Sequence, residues 1–226
     1  MIGAFRKAAG QLSDPAFRGV LIKSILLTLG LYLVLLWAAF TFVAPLISFD
    51  TAWLEWLAEA GGVVVFLIAA FLFFPAIATL ISSLFLDQIA AAVEARHYPA
   101  DPPGQGLPAL ASLSLSLRFT LVALALNLLV LPIYLLGFFL PPLNIVVFYA
   151  LNGYLLSREY FELVSSRHLP PAAMHRLRRA ELRRLWVSGA VIAFLLTVPL
   201  VNFVAPLLAT AAMVHIFKNL QARQAS

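Results

Sequence analysis

The chemistry that the sequence offers most clearly is anion binding at the start of a helix. Asp14 and Pro15 are typical of the N-cap and first residue of a helix, and Arg18 follows on its opening turn. The first N–H groups of a helix have no partner within it and carry a partial positive charge, which suits an oxyanion. A guanidinium beside them adds donors in a planar fork that fits such an ion. The alternative is that Arg18 and Lys23 only anchor the helix at a membrane surface.

A second basic segment lies further along the chain. Two prolines begin a predicted helix over Ala172–Leu185, and Arg176, Arg179 and Arg183 share one face of it at i, i+3 and i+7 spacing. A basic interfacial helix that binds anionic lipid headgroups is the favoured interpretation. An anion-attracting vestibule is the alternative.

Four further polar residues are candidates for a supporting role. Glu94 precedes a proline-rich connection and is predicted to pair with Arg18 or Arg118. The alternative is that Glu94 and Arg118 flank a solvated loop. Asn144 and Asn202 lie in apolar stretches beside prolines, where amides hydrogen-bond between helices or to broken backbone. Contact of these two amides with a permeating ion is the other interpretation.

What the sequence lacks argues against several kinds of chemistry. Four long apolar stretches contain no Asp or Glu, and intramembrane carboxylates commonly mark proton relays and cation-coupling sites. The chain has no Gly-x-x-x-x-Gly-Lys loop for ATP and no cysteine, and its four histidines show no metal-ligand spacing. We therefore expect no enzyme activity, no metal and no cofactor, and a passive or channel-like pathway.

The composition indicates that membrane helices must carry these residues. Hydrophobic residues make up 63% of the 226 residues. Charged residues make up 11%, against roughly 25% in an ordinary soluble domain. A soluble globule, a disordered chain and a nucleic-acid-binding domain are excluded, so no nucleic-acid partner is expected. The prediction is an all-α integral membrane protein, with residues 1–226 as a single membrane domain.

The apolar stretches differ in length, and the first two are simple. The four stretches are residues 24–49, 60–86, 119–157 and 185–217, with 26, 27, 39 and 33 residues. A spanning helix needs about 20 apolar residues. The first two stretches therefore predict one long transmembrane helix each, over about 20–48 and 60–86.

The last two stretches are too long for one span and are broken by prolines. The breaks contain Pro132, Gly137, Pro141 and Pro142 in the first, and Pro199, Asn202 and Pro206 in the second. The arms of 119–157 have 13 and 14 residues, each roughly 20 Å long against a hydrocarbon core of about 30 Å. We predict re-entrant helical hairpins over about 119–157 and 185–217. Tight pairs of short spans in a thinned bilayer are the alternative.

The basic residues are predicted to lie on one side of the membrane. Residues 50–59 carry three acidic residues and no Lys or Arg, and no basic residue occurs between positions 24 and 95. If both hairpins are re-entrant, all 15 basic residues fall on one face. Because Lys and Arg are concentrated in cytoplasmic loops, we expect a multi-pass protein with both termini in the cytoplasm.

Four segments of the chain resemble a known transporter family. Val198-Pro-Leu-Val-Asn-Phe-Val-Ala-Pro-Leu-Leu-Ala-Thr-Ala-Ala-Met-Val-His215 resembles the C-terminal signature of the CysZ sulfate permeases, within the wider etoposide-induced-protein superfamily. Residues 152–162 are similar to the second hairpin arm, residues 13–20 to the entry of the first helix, and residues 85–94 to the exit of the second. The resemblance covers nearly the whole chain.

The resemblance implies a function and a site. It implies a bacterial inner-membrane sulfate permease that feeds cysteine biosynthesis, built as a homo-oligomer with two spanning helices and two partly inserted hairpins. It also implies a sulfate site at a Gly-Leu-Arg-like turn, whose matching positions are Ala16, Phe17 and Arg18, with Ala in place of Gly. The expected partners are sulfate or a related oxyanion and anionic lipids at the cytoplasmic face. A non-transporting scaffold that shapes the bilayer is the alternative function.

Overall fold

The computed structural model describes residues 2–38, 41–42, 51–105, 109–199 and 201–225. Within these residues the chain forms nine α-helices and no strand, so the all-α prediction is confirmed. The helices are α1 Ile2–Gly10, α2 Pro15–Ala38, α3 Ala52–Ser83, α4 Leu86–His97, α5 Ala109–Leu136, α6 Pro141–Ser165, α7 Pro171–Ala180, α8 Leu182–Thr197 and α9 Val201–Ala225.

The helix α9 forms the centre of the bundle. It packs against α1, α3, α4, α6 and α8, and 78% of the residues in its apolar span are buried. Small side chains allow neighbouring backbones to approach closely, and Ala205, Ala209, Ala211 and Ala212 are all fully buried. The remaining helices are arranged around this core.

The helices α6 and α8 approach so closely that glycine is required where they meet. A Cβ atom at Gly189 would collide with the backbone carbonyl of Gly153 and would lie 2.7 Å from the backbone nitrogen of Ser157. On the same face, the hydroxyl of Ser188 donates to the carbonyl of Arg184 at 3.0 Å. These small residues lock the second half of α6 against α8.

Among the described residues, three helices are long and apolar enough to cross a membrane: Pro15–Ala38, Leu117–Leu136 and Val201–Gln224. The first two expose their apolar side chains, with only 17% and 0% of their span residues buried. Exposed apolar surface of this extent indicates contact with a membrane. The bundle therefore has a buried central helix and a lipid-facing periphery.

The described start of the first apolar stretch lies in α2, and most of the second lies in α3, which ends at Ser83. α2 ends at Ala38, and residues 39–40 and 43–48 of the predicted span lie outside the described residues. α3 begins at Ala52, so residues 52–59, which precede the predicted second span, are already helical.

The arm lengths predicted for residues 119–157 are wrong. α5 continues through Pro132 to Leu136, and the chain turns only at residues 137–140 before α6 begins at Pro141. A proline inside a membrane helix is tolerated because neighbouring groups satisfy the freed backbone. The apolar part of α5, Leu117–Leu136, has 20 residues, which is long enough to cross the hydrocarbon core.

The second hairpin is shorter. α8 has 16 residues, which is about 24 Å at 1.5 Å per residue. Pro206, which was predicted to lie at the break, lies inside α9. The tip of this hairpin packs against α3, where the rings of Phe203 and Phe74 are 5.8 Å apart. The hydroxyls of Tyr149 and Thr197 are 3.3 Å apart. Since Tyr149 is eight residues after the start of α6, the first hairpin extends roughly 12 Å beyond this tip.

The predicted basic helix over Ala172–Leu185 is divided in two. Glu181, with φ −110° and ψ 20°, interrupts it, so Arg176 and Arg179 lie on α7 and Arg183 lies on α8. Arg183 therefore does not share the predicted face with Arg176 and Arg179, which lie three residues apart on α7. α7 packs against the bundle through its buried residues Met174 and Leu177.

Candidate functional site

The entry to α2 leaves two backbone N–H groups unused by the helix. The N–H of Asp14 donates to the carbonyl of Gln11 at 2.8 Å, and the N–H of Arg18 donates to the carbonyl of Asp14 at 3.0 Å. Pro15 has no N–H. Because the first N–H groups of a helix lack a partner within it, those of Ala16 and Phe17 have no backbone acceptor among the described residues.

The side chains at this entry differ in exposure. Ala16 and Arg18 are exposed, whereas Phe17 is 1% exposed and packs in the hydrophobic core. The carboxylate of Asp14 binds a guanidinium nitrogen of Arg96 at 2.6 Å. Since Arg96 balances the charge of Asp14, Arg18 adds a net positive charge beside the unused N–H groups.

The prediction that Glu94 pairs with Arg18 or Arg118 is wrong. α4 packs against α9 and α6, and this turns Glu94 inward, where it is 6% exposed. Its two oxygens lie 3.2 Å from the guanidinium of Arg167 and 2.8 Å from Nε2 of His168. Glu94 is a buried residue of α4, which ends at His97 just before the proline-rich connection.

Glu94 and Arg167 belong to a buried polar cluster. Arg167 also binds Asp87 at 2.8 Å. Burial by itself lowers the pKa of Arg167, but the hydrogen bonds and charges of Glu94 and Asp87 raise it above its usual value. Arg167 is therefore a permanently charged link between α4 and the end of α6.

α4 brings two basic regions to the same end of the molecule. Arg96, near the C-terminus of α4, binds Asp14, which precedes α2. Glu94, two residues earlier on α4, binds Arg167, which follows α6. The entry to α2 and the connection between α6 and α7 are thus both attached to α4. The second basic region is a cleft that α7 closes.

The basic cleft lies between α5, α6 and α7 and has a volume of about 410 Å³. We define it by its basic residues, which are Arg118, Arg158, His175, Arg176, Arg178 and Arg179. Arg118 was the one predicted supporting residue that lies here. Arg158, His175 and Arg178 were not predicted as site residues.

The members of the basic cleft are held in different ways. Arg158 is 5% exposed and donates from Nε to Glu162 at 2.8 Å. Arg178 lies over the ring of Tyr154, with 5.0 Å between the guanidinium carbon and the ring centroid. Among the described residues, Nε and one terminal nitrogen of Arg178 are buried without a hydrogen-bond partner. An unsatisfied buried donor of this kind costs about 1–3 kcal/mol.

His175 reports the electrostatic potential of the cleft. Burial lowers its pKa below the usual value, Glu162 opposes this, and the positive charges of Arg118, Arg158 and Arg178 lower the pKa further. The part of this shift that comes from the three arginines indicates a positive potential in the cleft, which attracts an anion.

Asn144 and Asn202 lie in different surroundings. Asn144 is in the first turn of α6, and its side chain fills the space that a Cβ atom at Gly137 would need. Asn202 is in the first turn of α9 and lines an apolar cleft between α2 and α3. The structure therefore gives the two amides separate packing roles and does not bring them together with Arg18.

A polar cluster around His215 was also missed by the sequence analysis. The ring nitrogens of His215, on the central helix, lie 3.1 Å from Nε2 of Gln11 and 2.8 Å from the hydroxyl of Tyr98. Across the described part of the chain, no three His, Asp or Glu side chains are grouped as metal ligands. The cluster joins α9 to the N-terminal segment and to the end of α4.

The family of the chain is decided by its match to a known family model. The model described as sulfate transporter CysZ/etoposide-induced protein 2.4 matches residues 4–206. The chain belongs to this family. The match includes both basic regions, all of α2 to α8 and the start of α9. No curated protein matches the chain. Membership of this family points to a membrane role like that of a sulfate transporter.

Proposed function

We propose that the protein is a channel-like, passive permease for sulfate or a related oxyanion in the bacterial inner membrane, where it supplies sulfate for cysteine biosynthesis. The observation that carries the proposal is the entry to α2. There, unused N–H groups of Ala16 and Phe17 lie beside the exposed Arg18, at the end of a helix that is long and apolar enough to cross the bilayer. The family match supports the same proposal, because the description of the family includes a sulfate transporter.

An oxyanion that enters a membrane must exchange water for other hydrogen-bond donors. The N–H groups at a helix start are fixed before the ion arrives, so little order is lost when it binds. A conducting site must also release its ion, which favours one exposed turn over an enclosed site. Because the four apolar stretches contain no Asp or Glu, movement down the concentration gradient is the simplest mechanism.

The proposal extends to the surroundings of the protein. Both termini and the 15 basic residues face the cytoplasm, where they meet anionic lipids. The second hairpin remains re-entrant because α8 has only 16 residues, whereas α5 is long enough to cross. The apolar span of α5 has none of its residues buried, and we assign this surface to lipid and to further copies in a homo-oligomer.

Reconstitution into sulfate-free vesicles tests the proposal. Radiolabelled sulfate should enter vesicles that hold the unmodified protein. Arg18→Ala should lower uptake and weaken sulfate binding at least tenfold, because a charge-assisted hydrogen bond contributes about 1.5–3 kcal/mol.

Lys23→Ala is the matched control, since Lys23 lies more than a turn beyond the helix start, where the backbone N–H groups are already paired. It should retain uptake and binding. Vesicle tubulation without sulfate uptake would replace transport with the bilayer-shaping function. Equal loss in the two variants would argue against the α2 entry.

A further inference from the structure

We infer that the basic cleft is a second oxyanion-binding site, separate from the α2 entry, which takes a sulfate ion or the chemically similar phosphate of an anionic lipid headgroup. The inference concerns binding and does not depend on transport.

The charge of the cleft carries the first step. Five arginines line it, and the one carboxylate that acts on His175 there, that of Glu162, is already bound to Arg158 at 2.8 Å. A concave surface lined by charges of one sign concentrates the field and attracts the opposite charge. The cleft therefore retains several positive charges that Glu162 does not balance.

Arg178 carries the second step. Two of its guanidinium nitrogens are buried and have no hydrogen-bond partner in the described part of the chain. The ring of Tyr154 holds one face of the guanidinium at 5.0 Å, which orients the group but does not satisfy its donors. The planar fork of a guanidinium fits the oxygens of sulfate and phosphate.

The dimensions and position of the cleft agree with this ligand. Its volume of about 410 Å³ exceeds by more than tenfold the roughly 30 Å³ of one liquid water, so an ion and part of its hydration shell fit. Arg118 and Val122 place one wall of the cleft at the start of the apolar span Leu117–Leu136. A free anion and a lipid headgroup both reach such a membrane boundary.

The test uses the full chain, purified in an uncharged detergent without lipid. Sulfate is titrated by calorimetry, and added phosphatidylglycerol is counted by native mass spectrometry. Arg178→Gln and, separately, Arg118→Gln should weaken binding of sulfate, phosphatidylglycerol or both at least fivefold. Arg118 is exposed, so its replacement keeps the test valid if Arg178→Gln does not fold. Arg6→Gln, an exposed change of the same charge on α1, should bind both as the unmodified protein does.

Each outcome decides the inference. Weaker sulfate binding assigns the cleft to the free ion, and weaker phosphatidylglycerol binding alone assigns it to the headgroup. Unchanged affinity for both, in folded Arg118→Gln protein, overturns the site. Arg18→Ala should leave cleft binding intact. Cleft binding that persists in a protein without sulfate uptake would therefore refute the proposed permease and leave the cleft assignment standing.

Discussion

The arginines in the buried parts of this protein differ in whether a carboxylate holds them. Arg158 binds Glu162, and Arg167 binds Glu94 and Asp87. Removal of one partner from such a buried pair is strongly destabilising, because it leaves an uncompensated charge. Arg178, by contrast, lies over an aromatic ring, and two of its nitrogens have no hydrogen-bond partner within the described part of the chain. Arginines of the first kind fix the fold, whereas Arg178 is available to a ligand.

His175 should make sulfate binding at the basic cleft depend on pH. Burial and the charges of Arg118, Arg158 and Arg178 lower its pKa, so His175 is neutral at pH 7 in the free protein. A bound dianion favours the protonated ring and raises that pKa. The affinity for sulfate should therefore rise as pH falls from the pKa of His175 in the sulfate-bound protein to its pKa in the free protein. The total gain is up to about tenfold for each unit by which these two pKa values differ.

Calorimetric titration of sulfate at pH 7.5, 6.5 and 5.5 measures this effect, since sulfate itself stays a dianion over that range. His175→Gln should bind with an affinity that no longer changes with pH. A pH dependence that survives in His175→Gln would assign the effect to another group.

Residue patterns predicted some site residues and missed others for physical reasons. The Asp14, Pro15 and Arg18 pattern placed the start of α2 correctly because caps depend on local chemistry. The partner of Glu94 depends on how α4 packs against distant helices, which local patterns do not specify. The inward position of Arg178 could have been predicted, because Arg178 is four residues after the apolar Met174 and therefore lies on the same face of the helix, the face that packs on the bundle.

At the scale of helices, the packing of α6 on α8 depends on the absence of a side chain at one position. Gly189→Ala should lower the free energy of unfolding by about 1–3 kcal/mol, because the added Cβ collides with backbone atoms of α6 that cannot move independently. Gly30→Ala on α2 is the control. A Cβ there meets open space, and the higher helix propensity of alanine should make this change neutral or stabilising by up to about 1 kcal/mol.

Thermal unfolding of the two variants in the same detergent measures the difference. Equal midpoints for Gly189→Ala and the unmodified protein would show that α6 and α8 separate easily, contrary to the close contact in the structure.

The two hairpins should differ in how far they reach across the membrane. The chain has no cysteine, so single cysteines can be labelled selectively. Phe139→Cys, at the exposed tip after α5, should react with a membrane-impermeant thiol reagent added outside, because the apolar span of α5 has 20 residues. Val198→Cys should be protected from the reagent, because the tip of the second hairpin lies roughly 12 Å below the tip of the first. This distance follows from the contact of Thr197 with Tyr149, which is eight residues after the start of α6.

Trp53→Cys, at the start of α3, is the positive control and should react with the reagent, because the connection between α2 and α3 is expected to lie outside. Protection of Phe139→Cys would restore a re-entrant first hairpin, and labelling of Val198→Cys would replace the second hairpin with two spans.

Helix lengths were harder to predict than helix positions. Pro132 and Pro206 were taken as breaks because proline lacks an N–H donor, yet both lie inside helices. In an apolar environment a continued helix satisfies most backbone groups, whereas a break exposes several. The interruption at Glu181 had no proline or glycine to indicate it.

For the whole molecule, the distribution of charge is expected to fix a single orientation. The chain carries 15 Lys and Arg against 10 Asp and Glu, and none of the basic residues lies between positions 24 and 95. Asp14–Arg96 and Glu94–Arg167 join distant basic segments to α4. Reversal of the protein would therefore carry both basic regions across the bilayer together.

A reporter fused after Ser226 should be active only when it is of the cytoplasmic type. Positively charged loops resist translocation, and the connection between α2 and α3 contains no Lys or Arg to oppose export of that side. Parallel fusions of a cytoplasmic and a periplasmic reporter, normalised to the amount of protein, measure the ratio of orientations. A fusion within residues 51–53 should give the opposite result. Comparable activity of both reporters after Ser226 would mean that the basic face does not determine orientation, and the cytoplasmic assignment of both anion sites would be withdrawn with it.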